Sequence, residues 1–437
     1  MHETRPAKIT SAIVDLGGIQ ATLMIPALIV GVIGVAVAFV VNGGPWGFER
    51  FSHIYLINFA FVLTMCIGCL FFVTISHLTR AGWNVTIRRI AELYAQCLPV
   101  LFILFLPILI PLLFSSNGLY VWNEGGWSMH NDGTEAFQTL KAEVASSEVA
   151  DRPPLEILKH AYLNKTFFAI RWVIYFCVWG GMATFFLRTS LKQDESGDKK
   201  LTGLMQAFSA PAMIAFAVSI VFSSMDLLMS LEPLWFSTMF PVYFFAGSVL
   251  SALALITLTS LNLQKAGRVT DEITVEHYHD LGKMMHGFVV FWGYIAFSQF
   301  LLIWYANIPE ETFWYEYRMS LTDGWGLLSI VLLVGHLFVP FLFMMGRTMR
   351  RNKKLMMIAV IWLLVMHWLD LYWLVMPQYS RAGGTIGFGI LAILSDLACT
   401  VGFIGLFVGL FCLVAGDKPL VTLQDPRLGE ALNHAVH

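Results

Sequence analysis

The chain has 437 residues, of which 57% are hydrophobic and only 13% charged, and its mean hydropathy is +0.69. Soluble globular domains carry about a quarter charged residues, so half that share over this length excludes a soluble domain and describes a polytopic membrane protein. The net charge of −2 offers no basic surface for nucleic acid.

A hydrocarbon core of about 30 Å is crossed by roughly 20 apolar residues in helical form. On that rule ten spans are predicted, at 23–41, 54–75, 91–113, 167–188, 207–230, 238–262, 282–306, 325–346, 354–376 and 387–414. These runs are continuous, which excludes a β-barrel, whose strands alternate and are about ten residues long. The expected fold is therefore an all-α integral membrane protein. Residues 1–22 read as an N-terminal segment, 23–414 as one ten-helix membrane domain, and 415–437 as a short soluble tail. No short apolar stretch followed by a small-residue cleavage site precedes span 1, so no removable signal peptide is expected. With the N-terminus inside, Lys and Arg crowd the inner segments, from Arg5 and Lys8 to Lys418 and Arg427. Only Arg50, Lys141, Arg152, Lys159, Lys165, Arg171, Arg318 and Arg381 fall on the other side. That asymmetry places both termini in the cytoplasm.

In chain order, span 2 carries Cys66-Ile-Gly-Cys69, but Leu70 follows, so this is no haem c attachment site. A second ligand pair for zinc or an iron–sulfur cluster is missing, and the six cysteines are expected as packing residues. His77 and Glu92 lie near the inner interface and are expected to be solvated. The long outer loop 114–166 suggests two amphipathic helices, one with Leu140, Val144 and Val149, the other with Leu155, Leu158 and Tyr162. Trp46, Trp122, Trp127, Trp235, Trp304, Trp314 and Trp325 gather at outer ends of spans, as an aromatic belt or a docking face would.

Span 5 is the most informative. Ser219, Ser223, Asp226 and Ser230 are spaced four, three and four apart, so they share one helical face, and Glu232 follows. A carboxylate inside a membrane span is costly and commonly marks an ion or proton route. The alternative is a packed aspartate satisfied by a neighbouring Arg, Tyr or Ser. Arg171 of span 4 is a candidate counter-ion for Asp226 or Glu232, or reaches the headgroups instead.

Further polar residues follow in Tyr243 of span 6, His286 of span 7 and His336 of span 8, the last sharing a face with Ser329 and Pro340. In span 9, His367 and Asp370 are three apart, on one face, and could hydrogen-bond or exchange a proton. Asp396 of span 10 is expected near mid-depth, with Thr400 a turn on. Together these residues suggest two half-channels of titratable groups, with Asp226, Ser230, Glu232, Arg171, Tyr243, His367 and Asp370 in the outer half and His77, Glu92 and His286 in the inner. Ordinary solvated charge is the favoured reading for His77 and Glu92. The half-channels would meet near His336 and Asp396. Ordinary packing remains the alternative for each histidine. Tyr243, His367 and Asp370 are also candidates for contacting a quinone. A b-type haem needs paired histidines at similar depth, and His286, His336 and His367 are expected at different depths. Gly402, Gly405 and Gly409 form a face for close helix approach. Spans 2–5 and 6–9 have the same up-down sense, as in a parallel repeat; a secondary transporter built on inverted repeats would differ.

Three stretches carry a family resemblance: Tyr162–Asp194, Ser223–Pro241 (SSMDLLMSLEPLWFSTMFP) and His279–Tyr315. They resemble the NrfD/PsrC-like membrane subunits of bacterial alternative complex III, a quinol:cytochrome c (electron acceptor) oxidoreductase. Two such subunits occur in it, and length, short N-terminus and motifs are more similar to the ActF type than to its sister ActC. The resemblance implies two four-helix bundles, spans 2–5 and 6–9, flanked by spans 1 and 10. It implies a multi-pass protein of the bacterial cytoplasmic membrane, in contact with lipids. Its partners would be ActC, an iron–sulfur subunit, haem c subunits and small membrane subunits, with a terminal oxidase as a further candidate. The chain itself would hold no cofactor, beyond a possible quinol, and no metal. It would provide a proton-translocation path coupled to quinol oxidation in its partners. The alternatives are a quinol-binding subunit or a purely structural anchor.

Overall fold

The computed structural model describes residues 15–42, 48–114, 119–123, 162–322, 324–381 and 390–435. Arg5, Lys8, Trp46, Trp127 and the two helices expected around Leu140, Val144, Val149, Leu155 and Leu158 lie outside them.

Apolar runs too long for anything but a bilayer become ten helices: α1 (Gly18–Val41), α2 (Phe48–Leu78), α3 (Val85–Phe114), α4 (Lys165–Ser196), α5 (Lys200–Leu231), α6 (Phe240–Lys265), α7 (Val275–Ala306), α8 (Trp325–Met345), α9 (Lys353–Ser380) and α10 (Leu391–Ala415). Each overlaps one predicted span, and there is no strand among the described residues. Most helices outrun the apolar stretch, and in two of them local caps fix the ends. A capping box of Thr274 and His277 starts α7 well before residue 282. Asn164 caps α4 through Phe167 N–H (2.9 Å), and Gly197, at φ 65°, closes it in the left-handed region.

Three helices are interrupted. The α3 ladder breaks between Ala95 and Leu98, just before Pro99, which has no N–H to donate. The last turn of α5, Met229–Leu231, tightens to 3-10 geometry before Pro233. In α8, Leu333–Phe338 is π-helical. There the N–H of residue 340 would reach the Gly335 carbonyl, but Pro340 has none, and the Trp362 indole donates to that carbonyl instead (2.7 Å).

The helices pack as the expected pair of four-helix bundles, α2–α5 and α6–α9, set back to back along α2 and α6. Those two helices are buried along nearly their whole apolar length. At Gly68 a Cβ would lie 2.0 Å from the Ser248 carbonyl oxygen, so only glycine admits this approach. Outside the bundles, α1 pairs closely with α10. Gly31 and Gly34 meet Gly405 and Gly402 backbone to backbone, and Gly409 meets Leu28, as the small-residue face predicts. Most of α1 is exposed, as suits a helix facing lipid.

An even number of crossings puts both ends on one side. Asp15 pairs with Arg268 (3.1 Å), and on the same side Asp425 pairs with Arg88 (2.6 Å) and His434 with Asp280 (2.6 Å). This is the basic side of the molecule. Residues beyond 415 fold back onto the basic side. Leu420, Val421 and Thr422 are buried, the Thr422 hydroxyl donates to Val85 O (3.0 Å), and Leu423 N–H donates to Asp194 (2.7 Å).

Two further expectations are corrected here. Glu92 is not solvated: it is buried between Arg88 (3.3 Å) and Arg89 (3.0 Å), and Arg89 also reaches Asp194 (2.6 Å). Most of the tryptophans do not form a belt either. Trp122, Trp235, Trp314 and Trp325 are buried, and only Trp304 of the described set is exposed, at 63%. Trp235 stacks on Trp314 (4.4 Å, 11°) and donates to Glu311 O (3.2 Å), while the Arg318 guanidinium lies 3.8 Å over the Trp314 ring. Trp235 thus buries its ring with its N–H satisfied, and Trp314 buries its ring under a cation.

Candidate functional site

The largest gathering of the candidate residues lies inside the second bundle. Asp370 of α9 is 2% exposed and accepts a hydrogen bond from the Tyr243 phenol of α6. Its other oxygen accepts from the Trp292 indole of α7 (3.3 Å). The Trp292 ring packs 4.1 Å from His336 of α8. His336 is fully buried, and neither ring nitrogen has a hydrogen-bond partner among the described residues. His367, one turn below Asp370 on α9, crosses to the first bundle, its Nε2 2.9 Å from the Thr64 hydroxyl of α2. Gly247 leaves room for that ring: a Cβ there would lie 3.0 Å from His367 Cε1.

Several expectations change at this point. His367 and Asp370 share a face but do not bond each other; each is taken by a different neighbouring helix. His336 and His367 are at nearly the same level, because Gly335 sits against Met366, where a Cβ would lie 2.7 Å from Sδ. The π stretch also separates His336 from Ser329. Ser329 accepts from Trp373 of α9 (2.8 Å), whereas His336 turns toward Trp292 of α7.

The first bundle treats its carboxylate differently. Asp226 is fully buried and receives Arg171 in a forked pair, Nε at 2.8 Å and Nη2 at 2.9 Å, plus the Tyr175 phenol at 2.8 Å. Arg171 also donates to Tyr162 O (2.8 Å), with its guanidinium 3.8 Å from the Tyr162 ring centre. It is therefore the counter-ion of Asp226 and does not extend to the headgroups. Along the polar seam, Ser219 accepts from the Trp179 indole (2.9 Å) and Ser230 donates to the Asp226 carbonyl (2.6 Å). Glu232 follows the 3-10 turn and is buried, and its carbonyl accepts from Trp235 N–H (3.0 Å). Tyr120, outside the spans, donates to Leu227 O (3.0 Å); burial holds its phenol above the ordinary range.

The remaining candidates stand apart. Asp396 is five residues into α10, not at mid-depth, and pairs with Arg50 (2.9 Å). His286 is half-buried toward the basic side and stacks on Phe341 (5.1 Å, 18°), away from Asp370. His77 is buried rather than solvated, stacked on Phe186 (5.3 Å, 4°). Of the six cysteines, none is in a disulfide and five are buried, in keeping with packing; Cys177 is exposed. No group of three metal-ligating side chains occurs among the described residues.

Two partners of the cluster escaped the sequence reading, Trp292 and Thr64. A further chain lies toward the outer end of the bundle, where Ser237 donates to Gln299 (3.1 Å) and Gln299 to the Tyr315 phenol (3.0 Å). A signal existed in α7: Trp292 and Gln299 are seven apart, on one face of an apolar helix.

Scans against known protein families and against curated proteins return no match. The chain is a multi-pass, all-helical membrane protein. Its interior offers two kinds of buried acid. Asp226 and Asp396 each face an arginine, so protonating either would strand a guanidinium. Asp370 faces two neutral donors, and taking up a proton there strands no charge.

Proposed function

We propose that this chain is the membrane subunit of a bacterial respiratory quinol:electron acceptor oxidoreductase, of the NrfD/PsrC-like ActF type, and that it moves protons rather than electrons. The observation that carries the proton role is Asp370, buried in the second bundle and bonded among the described residues to neutral Tyr243 and Trp292 alone, with His336, which has no hydrogen-bond partner among them, packed on the same indole. Buried titratable groups on facing helices are what a membrane proton relay needs. The respiratory assignment rests on the resemblance of residues 162–194, 223–241 and 279–315. The same resemblance supplies the proposed partners: ActC, an iron–sulfur subunit and haem c subunits in a cytoplasmic membrane.

Tyr243, His367 and Asp370 are all buried and turned into the bundles, which favours a proton relay over direct contact with a quinol entering from lipid. Quinol oxidation in the partners would change the field at Asp370, and a carboxyl without a fixed counter-ion responds by exchanging its proton. The test is the proton-to-electron ratio of the complex in sealed liposomes. Asp370→Asn should lower the ratio while quinol oxidation by uncoupled complex persists, and Asp370→Glu should restore part of it. An unchanged ratio in Asp370→Asn removes Asp370 from the path.

A further inference from the structure

A groove of about 600 Å³ runs along the lipid-facing side of α4 beside the break in α3, lined by Pro99, Cys177, Gly180, Gly181, Thr184 and Arg188 among others. Two features of its walls are unexplained by the packing of the chain itself. Gly181 has nothing within 4 Å of the place a Cβ would take, so no close helix approach within the chain calls for glycine. Glycine destabilises a helix interior relative to alanine, and here it leaves an open notch. Behind the groove, Gln96 donates to its lining residue Thr184 (3.3 Å), while the Gln96 Oε1 is buried without a partner among the described residues.

The groove also has a polarity. Arg188 is exposed at its basic-side end and has no hydrogen-bond or ion-pair partner among the described residues. From Arg188 to Phe176, at the apolar end, is twelve residues of helix, about 18 Å. That is close to half of a hydrocarbon core of about 30 Å, the depth of one leaflet. A cation at headgroup level above an apolar notch one acyl chain deep is the shape of a single phospholipid. We propose that this groove binds one anionic phospholipid of the basic-side leaflet, an acyl chain lying over Gly180 and Gly181 and the phosphate on Arg188.

The test is native mass spectrometry of the full chain within its purified complex, in mild detergent, with added phosphatidylglycerol or phosphatidylcholine as probes. One phosphatidylglycerol should stay bound to this subunit, in preference to phosphatidylcholine. Arg188→Gln should cut that preference about fivefold, the effect of one basic residue at an anionic surface, and Arg188→Lys should keep it. Gly181→Leu, which fills the notch, should abolish retention of either lipid. Should that variant fail to fold, Arg188→Gln, on an exposed side chain, still decides. Equal retention of the two lipids by the unaltered chain, or retention unmoved by Arg188→Gln, overturns the proposal. So does a photo-crosslinker on Cys177 that captures a partner's transmembrane helix or a quinone instead of phospholipid.

Discussion

The two bundles each place a buried aspartate on their fourth helix, Asp226 on α5 and Asp370 on α9, and surround it with opposite chemistry. Around Asp226 a forked guanidinium and a phenol make a closed ion pair. Around Asp370 a phenol and an indole supply two hydrogen bonds and no charge. The first arrangement holds α4 to α5, and a proton on Asp226 would leave the Arg171 guanidinium buried without its counter-ion. In the second, a proton taken up strands no charge, so burial alone does not separate a lock from the relay proposed for Asp370. The partner does.

The largest effect should come from breaking the lock. Arg171→Ala strands a buried carboxylate and should cost about 3–5 kcal/mol, read as a large fall in unfolding temperature or loss of the chain from the membrane. Replacing both partners with apolar residues, Arg171→Met with Asp226→Leu, should recover most of that loss. Wild-type stability in the single variant would end the account of Asp226 as a lock.

Next comes Tyr243→Phe, which removes one hydrogen bond to a buried carboxylate. A bond to a charged group contributes about 1.5–3 kcal/mol, so the ionised form of Asp370 should be disfavoured without loss of fold. Infrared difference spectra should then show more protonated carboxyl at a given pH than in the unaltered chain. Asp370→Asn keeps the shape and strands no cation but loses one of two acceptor oxygens, and should cost about 1–3 kcal/mol. It should abolish the pH-dependent carboxyl band, while that band survives in Asp226→Asn protein still assembled. The reverse pattern would exchange the roles given to the two aspartates.

The smallest effect is expected outside the membrane. Arg427 and Glu430 form a pair in which Glu430 is more than half exposed, and the guanidinium holds the Glu430 carboxyl below its usual value. Its contribution is therefore present above the ordinary glutamate pKa and lost as pH falls through the lowered one. Such exposed pairs contribute under about 1 kcal/mol, so Glu430→Gln should leave unfolding at neutral pH almost unmoved. A large shift there would mean that the folded-back tail bears more on stability than the buried pairs do.

How much of this was legible beforehand differs between the two sites. The seam of Ser219, Ser223, Asp226 and Ser230 is a local pattern, and Arg171, one helix earlier, was a natural counter-ion; their pairing is short-range and was anticipated as one of two outcomes. The cluster at Asp370 draws on α6, α7, α8 and α9, with His367 reaching α2, and its geometry depends on the π stretch at Leu333–Phe338. No spacing within α9 could show that His367 and Asp370 would part toward different helices. Glu92 was misplaced for a similar reason: depth alone suggested solvent, but Arg88, Arg89 and the returning tail enclose it.

By itself the sequence determined ten helices, their alternation, the basic side, and the glycine face by which α10 meets α1. Each of these depends on hydropathy, charge or side-chain size summed along one segment. Only the tertiary structure decided which buried group meets which partner. A helical face specifies the direction a side chain leaves its own axis, while the atom waiting for it belongs to another helix, whose register is set by packing across the whole bundle.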